Sequence, residues 1–127
     1  GDTRDTATAI LGHKYPSLRV RYWGDADRSA WILEEIGKEQ PITVGLVVNA
    51  GRLERVKVLV FRESRGWEVR HPFFTDQFNE IGLTGELDLD RGIDGISGAT
   101  LSVRALKKLA RLALYLHTRI PSGDDTP

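Results

Sequence analysis

Cysteine is absent from this chain, and so is methionine. The first absence removes disulfide frameworks, thiolate nucleophiles and cysteine-ligated zinc or iron–sulfur centres together, while leaving the compartment open. The second, in a chain that opens at Gly1, is read as a start that has been cut or trimmed, with a targeting segment or anchor among what was removed. Net charge is lacking too. The 18 Lys+Arg balance 18 Asp+Glu for a formal charge of +0, so no global field draws in nucleic acid or an anionic membrane, and a charged partner must be met by a local patch. Long apolar runs are missing: stretches such as Leu112 to Leu116 fall far short of the roughly 20 residues that a bilayer crossing needs. What is present, 40% hydrophobic residues with 13 Gly and 28% charged residues, fits a globular domain and excludes disorder or a collagen-like repeat. A chain of 127 residues sustains one core, so a single domain over 1–127 is expected, frayed at 1–4 and 121–127.

Periodicity supplies the elements. Ala7, Ile10 and Leu11 lie at helical spacing behind the capping candidates Thr3 and Asp5, which predicts a short helix ending near Gly12. Alternation from Leu18 to Trp23 predicts a strand with Leu18, Val20 and Tyr22 on one face and Arg19, Arg21 and Trp23 on the other. Further strands are expected over Ala30–Ile36, Ile42–Val48 and Leu53–Phe61, with a tight hairpin at Asn49-Ala50-Gly51. A helical turn is expected around Phe73, Phe74 and Phe78, and a fifth, edge-like strand where Glu86, Asp88 and Asp90 alternate with Leu87 and Leu89. The strongest helix follows, from Ser102 to about His117, with Val103, Leu106, Leu109, Ala113 and Leu116 on one stripe and Arg104, Lys107, Lys108 and Arg111 opposite. Pro121 ends that element. The fold class is α+β: an antiparallel sheet of about five strands covered by a C-terminal helix and a short N-terminal helix.

Most candidate chemistry is weak. His13, His71 and His117 fall on separate elements without metal-ligand spacing and read as surface or edge side chains, and no metal site is expected. Glu86, Asp88, Asp90 and Asp94 read as a solvated strand face, because Gly92 stands where a calcium loop needs an oxygen ligand. Gly92, Gly95 and Gly98 recur every third residue, which matches neither a dinucleotide fingerprint nor a P-loop. The basic stripe of the last helix reads as the solvated side of an amphipathic element. No general base, nicotinamide site or substrate cleft stands out, so no catalytic residue is assigned. Trp23 and Trp31 read as packing residues.

The junction before the last helix is the informative segment. A loop of small residues ending at a helix N-terminus presents unpaired N–H groups and the positive end of the macrodipole, which favours a phosphate, and Thr100 places a hydroxyl there. On local features alone, Thr100 or Ser102 as a plain cap is the competing reading.

The residues Asp94-Gly95-Ile96-Ser97-Gly98-Ala99-Thr100-Leu101-Ser102 resemble the flavinylation motif D-x-x-[ST]-G-A-[ST]-x-[ST] of the FMN-binding domain family, matching all six specified positions. That family includes peripheral subunits of the sodium-pumping NADH:quinone oxidoreductase and of the Rnf electron-transfer complex. Its loop E-T-P-G-L-G resembles Glu63-Ser64-Arg65-Gly66-Trp67-Glu68, where Glu63 and Gly66 are identical, Ser64 is a mild change, and Arg65, Trp67 and Glu68 depart from the pattern. The order of hairpin, loop, aromatic segment, motif and final helix resembles the family over roughly Leu18 to Leu116.

The resemblance implies FMN joined by a phosphoester to Thr100 by a flavin transferase that uses FAD and Mg²⁺. Ser97, Gly98 and Ala99 would be small to admit enzyme and phosphate. Asp94 and Ser102 would serve recognition, with Ser102 also a cap candidate. Glu63 and Gly66 would line the flavin. Trp67 has two readings, against the isoalloxazine or in the core; Arg65 likewise faces either the pyrimidine side of the ring or solvent. The implied protein is an extracytoplasmic, membrane-associated electron carrier, in the periplasm or at the outer face of the cytoplasmic membrane. It would exchange electrons with membrane or extracytoplasmic redox partners and bind no nucleic acid. The alternatives are a flavin reductase-type enzyme with non-covalent FMN and a cofactor-free binding module.

Overall fold

The sheet is built from alternation. Along β2 (Arg28–Ile36) the inward residues Ser29, Trp31, Leu33 and Glu35 are buried while Arg28, Glu34 and Ile36 are exposed. β3 (Pro41–Asn49) and β4 (Arg52–Val60) extend the sheet, and β1 (Arg21–Gly24) closes its other edge. The computed structural model describes residues 2–15 and 20–121. All pairings are antiparallel in the order β1-β2-β3-β4, with Trp31 opposite Leu46 and Leu33 opposite Val44. Ala50 (φ 53°) and Gly51 (φ 79°) make the β3–β4 turn, both in the left-handed region that a two-residue hairpin matching the strand twist demands.

Two helices complete the layers. α1 (Asp2–Leu11) stops at Gly12 (φ 83°), a left-handed C-terminal residue, and buries Ile10 and Leu11 against α3 (Thr100–His117). α3 lies on β2 and β3 and turns Leu106, Leu109, Ala110 and Ala113 fully inward. Each fully buried leucine contributes about 1.5–3 kcal/mol relative to exposure. Between β4 and α3 the chain makes a 3₁₀ turn at Trp67–Arg70, the short helix α2 (Pro72–Thr75) and a second 3₁₀ turn at Asp76–Phe78. Phe74 and Phe78 meet edge to face at 5.7 Å and seal this end of the core, whereas Phe73 points out at 86% exposure. No helix among the described residues is long and apolar enough to cross a membrane.

The α+β architecture with both covering helices is as expected, but among the described residues the sheet has four strands, not five. Residues 86–90 form a tight reversal: Leu87 sits at φ 66°, the Thr84 N–H donates to the Asp88 carbonyl at 2.7 Å, and Leu83 and Leu89 share one isolated bridge. The acidic–leucine alternation there arises because Leu89 packs against the core from a turn whose polar groups bond to their own neighbours. The first strand is shorter than predicted, and its Leu18 and Arg19, like the C-terminal tail 122–127, lie outside the described residues. Trp31 packs as expected, stacked on Tyr22 at 4.5 Å. Trp23, expected to pack, is 53% exposed on the outer face, because only the inner face of the sheet is covered by helices.

His117 also differs from its expectation as a surface or edge side chain. It is buried at the end of α3, where the Ser29 hydroxyl, which accepts from Trp31 Nε1 at 2.7 Å, meets its Nδ1 at 2.6 Å. Burial pushes its pKa below the ordinary 6.5, despite a bond to the Ala26 carbonyl. His13 behaves oppositely. Its ring faces the Lys14 carbonyl at 2.8 Å and the buried Glu35 carboxylate at 2.8 and 2.9 Å, so its pKa is raised.

Two outcomes follow for stability. The unfolded chain accepts a proton at His117 that the folded chain resists, so this contribution is complete above pH 6.5 and declines as the pH drops below it. The His13 contribution has the reverse slope, complete below 6.5 and lost as the pH rises through its elevated folded value. In His13→Gln, urea unfolding should therefore give lower stability near pH 5.5 than near pH 7.5, and adding His117→Gln should flatten that difference. Leu106→Ala, at a fully buried position, should cost about 2–5 kcal/mol in the same assay.

Candidate functional site

Three segments distant in sequence converge at the N-terminus of α3. The first is the β2–β3 turn, Gly37 to Gln40, closed by the Gly37 N–H donating to the Gln40 carbonyl at 3.1 Å. The second is the loop after β4, where the Glu63 carboxylate accepts from the backbone N–H of Lys38 at 2.9 Å and of Glu39 at 3.1 and 3.2 Å. The third is the Ser97-Gly98-Ala99-Thr100 junction. Together they line an open groove of about 460 Å³ whose walls include Lys38, Glu63, Arg65, Gly98 and Thr100.

Glycine makes this convergence possible. Gly66 has φ 87°, and a Cβ there would lie 3.2 Å from Ser102 Oγ and 3.4 Å from Ala99 Cβ. Gly37 approaches from the other side, with a hypothetical Cβ 3.3 Å from the same Ser102 oxygen. Ser102 is therefore wedged between two backbones and only 4% exposed. Gly98 has a different reason: it is the third residue of the turn closed by the Ala99 N–H to Ile96 carbonyl bond of 3.0 Å, and its φ of 82° is what a type II turn requires there. A Cβ on Gly98 would meet nothing within 4 Å, so conformation and not crowding selects glycine.

The capping question has a clear geometric answer. The N-cap is Ala99 (φ −129°, ψ 29°), with no side-chain cap. Thr100 is the first helical residue and exposed, while Ser102 is turned into the interior. The first intrahelical bond runs from the Val103 N–H to the Ala99 carbonyl at 3.0 Å, so the N–H groups of Thr100, Leu101 and Ser102 precede the ladder with no side-chain acceptor from the cap. This end of α3 thus combines an exposed hydroxyl, uncapped donors and the positive end of the helix dipole.

The nine residues expected at the site are not equivalent. Gly98, Ala99, Thr100, Ser102, Glu63 and Gly66 come together at the groove or directly behind it, while Ser97 is exposed in the turn that leads into it and is not part of the lining. Ala99 is buried against Gly66, so its small size serves packing within the chain. Asp94 is exposed and stands outside the groove lining; its N–H donates to Gln77 Oε1 at 2.8 Å and its carbonyl accepts from Gln77 Nε2 at 3.2 Å, which ties the loop to the 76–78 turn. Trp67 is 60% exposed, which rules out the core reading. With His71, Phe73 and Ile96 it lines a second, apolar depression of about 310 Å³. Lys38 and Glu39 were missed by sequence reasoning. A polar turn residue carries no mark of a groove formed with a segment far along the chain; the backbone bonds to Glu63 place them there. Gln77 was missed for the same reason.

FMN offers a phosphate, a polyol chain and a flat apolar ring. The uncapped helix end suits the phosphate, with Lys38 and Arg65 balanced in the lining by Glu39 and Glu63, and the open groove, with Trp67 and Phe73 exposed on the segment that follows Gly66, suits the remainder. The residues fit the group. Gly66→Val should destabilise the fold by about 1–3 kcal/mol, because it forces a β-branched residue into the left-handed region and against Ser102; urea unfolding of the two proteins measures it.

No curated protein and no solved structure matches the chain. The sequence model of the FMN-binding domain matches residues 37–115, which takes in every segment of the groove. That match spans more than half of the chain, and the protein belongs to the FMN-binding domain family.

Proposed function

We propose that this FMN-binding domain carries its cofactor covalently on Thr100 and works as an extracytoplasmic electron carrier. The observation that carries this reading is the exposed hydroxyl of Thr100 at the uncapped start of α3, opening into the groove beneath the Glu63 loop. Maturation by a flavin transferase forms the bond between Thr100 Oγ1 and the FMN phosphorus of FAD. The pyrophosphate bond breaks, AMP leaves, and the hydroxyl proton is released. Bound FMN supplies reversible one- and two-electron chemistry.

The chain's own residues supply position and electrostatics. The resulting phosphodiester keeps one negative charge, and the helix end stabilises such a charge by about 0.3–1 kcal/mol at an exposed site. Lys38 and Arg65 line the groove, but so do Glu39 and Glu63, so its side-chain charges balance and the attraction for the phosphate rests on the helix end, while Glu63 also holds the backbone of the β2–β3 turn. Trp67 and Phe73 offer apolar surface close to the groove, where a ring can rest without being enclosed.

A covalent bond also has a thermodynamic rationale. Occupancy held by mass action follows RT ln(1 + [L]/Kd), so a filled non-covalent site needs free cofactor at roughly a hundredfold its Kd or more. Outside the cytoplasm a phosphoester removes that requirement. It also allows the ring to stay near the surface, where membrane or extracytoplasmic redox partners exchange electrons with it.

Intact mass spectrometry after co-expression with a flavin transferase tests the attachment. The wild type should gain the mass of one FMN less one water and keep its yellow colour through denaturation. Thr100→Val, at an exposed position that leaves the core untouched, should gain nothing. A wild-type chain without the adduct overturns the covalent reading, and flavin that binds but leaves on denaturation identifies a non-covalent flavoprotein instead.

A further inference from the structure

α3 carries Arg104, Lys107, Lys108 and Arg111 and no carboxylate over its 18 residues. Arg104 with Lys108, and Lys107 with Arg111, stand at i,i+4, where like charges repel and destabilise a helix. Solubility alone does not call for this pattern, since glutamates interleaved at the same spacing would solvate the face and support the helix. The basic face is also one wall of a groove of about 640 Å³, larger than the groove at Thr100, whose other wall is the 88–92 segment.

The charges in this groove do not cancel. Its lining holds five cations and two carboxylates, within a chain of zero net charge. Both carboxylates are engaged, Asp88 with Arg111 at 3.8 Å and Asp90 with Arg52 at 3.2 Å. Lys108 faces the buried Glu35 at 3.7 Å. Arg104 and Lys107 are exposed and have no acidic partner at salt-bridge distance among the described residues. Arg104 lies one turn beyond Thr100 on the same exposed side of α3.

We propose that this groove docks an extended acidic segment of a partner protein, whose carboxylates pair with Arg104 and Lys107. The concave shape decides between anionic partners. A flat anionic bilayer would meet the Asp88 and Asp90 wall as readily as the cations behind it, whereas a peptide segment enters between the walls. Docking there brings the partner within a helical turn of Thr100. The inference does not depend on the flavin, and its test is run on protein without cofactor, so that failure of either reading leaves the other standing.

The probe is a capped peptide of about ten alternating Asp and Glu residues, titrated into the full chain and followed by backbone amide NMR. Saturable binding is expected, with perturbations confined to 88–92 and 104–111, weakening about tenfold or more between roughly 20 and 200 mM salt. Arg104→Gln/Lys107→Gln should lose at least about tenfold in affinity, while Arg55→Gln/Lys57→Gln, which removes the same charge from the exposed sheet face, should bind like the wild type. Absence of binding, equal loss in both double variants, or perturbations centred elsewhere overturns the proposal. Binding to phosphatidylglycerol vesicles without binding to the peptide also overturns it, in favour of a lipid surface.

Discussion

The packing of Gly66 against Ala99 and Ser102 is the contact on which the site depends. It brings the loop after β4 to van der Waals distance from the first turn of α3, and a side chain at residue 66 would both crowd Ser102 and Ala99 and be strained by the left-handed backbone there. The same loop is held at its other end by Glu63, whose carboxylate accepts from two backbone amides of the β2–β3 turn. One rigid junction therefore fixes three segments at once. Because Ser102 fills the interior side of this junction, the exposed side is left to Thr100 and the uncapped N–H groups of the helix.

Rigidity behind the groove and openness in front of it suit a group that must be held firmly and still be reached. The sheet and α3 supply the rigidity, through fully buried side chains such as Leu33, Val44, Leu106 and Leu109. Openness comes from small residues, and the exposed Trp67 and Phe73 add an apolar depression on the segment that follows Gly66. Redox chemistry, on the reading proposed above, would take place on surface supported by the core but outside it.

Charge is organised just as locally. The chain is neutral as a whole, yet every charged residue on the outer side of α3 is basic, and Asp88 and Asp90 beside it are paired with arginines. Local fields of this kind act over about a Debye length, roughly 8–10 Å at physiological salt, which is enough to orient a partner and too short to attract polyanions at a distance.

The α+β class, the C-terminal helix, the β3–β4 hairpin and the family were legible in the order of residues alone. Each rests on local information: the 3.6 and 2.0 periodicities, a left-handed turn pair at Ala50-Gly51, and a run of contiguous motif residues around Thr100. Residue order alone misread residues 86–90 as a strand because alternation reports burial, and a turn that tucks in Leu89 produces the same alternation without a ladder. It also left Thr100 open between cap and attachment point. Packing between distant segments settles that Ser102 turns inward, that His117 is buried on Ser29, that Trp67 lies at the surface, and that Lys38 and Glu63 share a groove with the helix end. These are consequences of where distant segments pack, and a side chain carries no local mark of the neighbour it will meet across the fold.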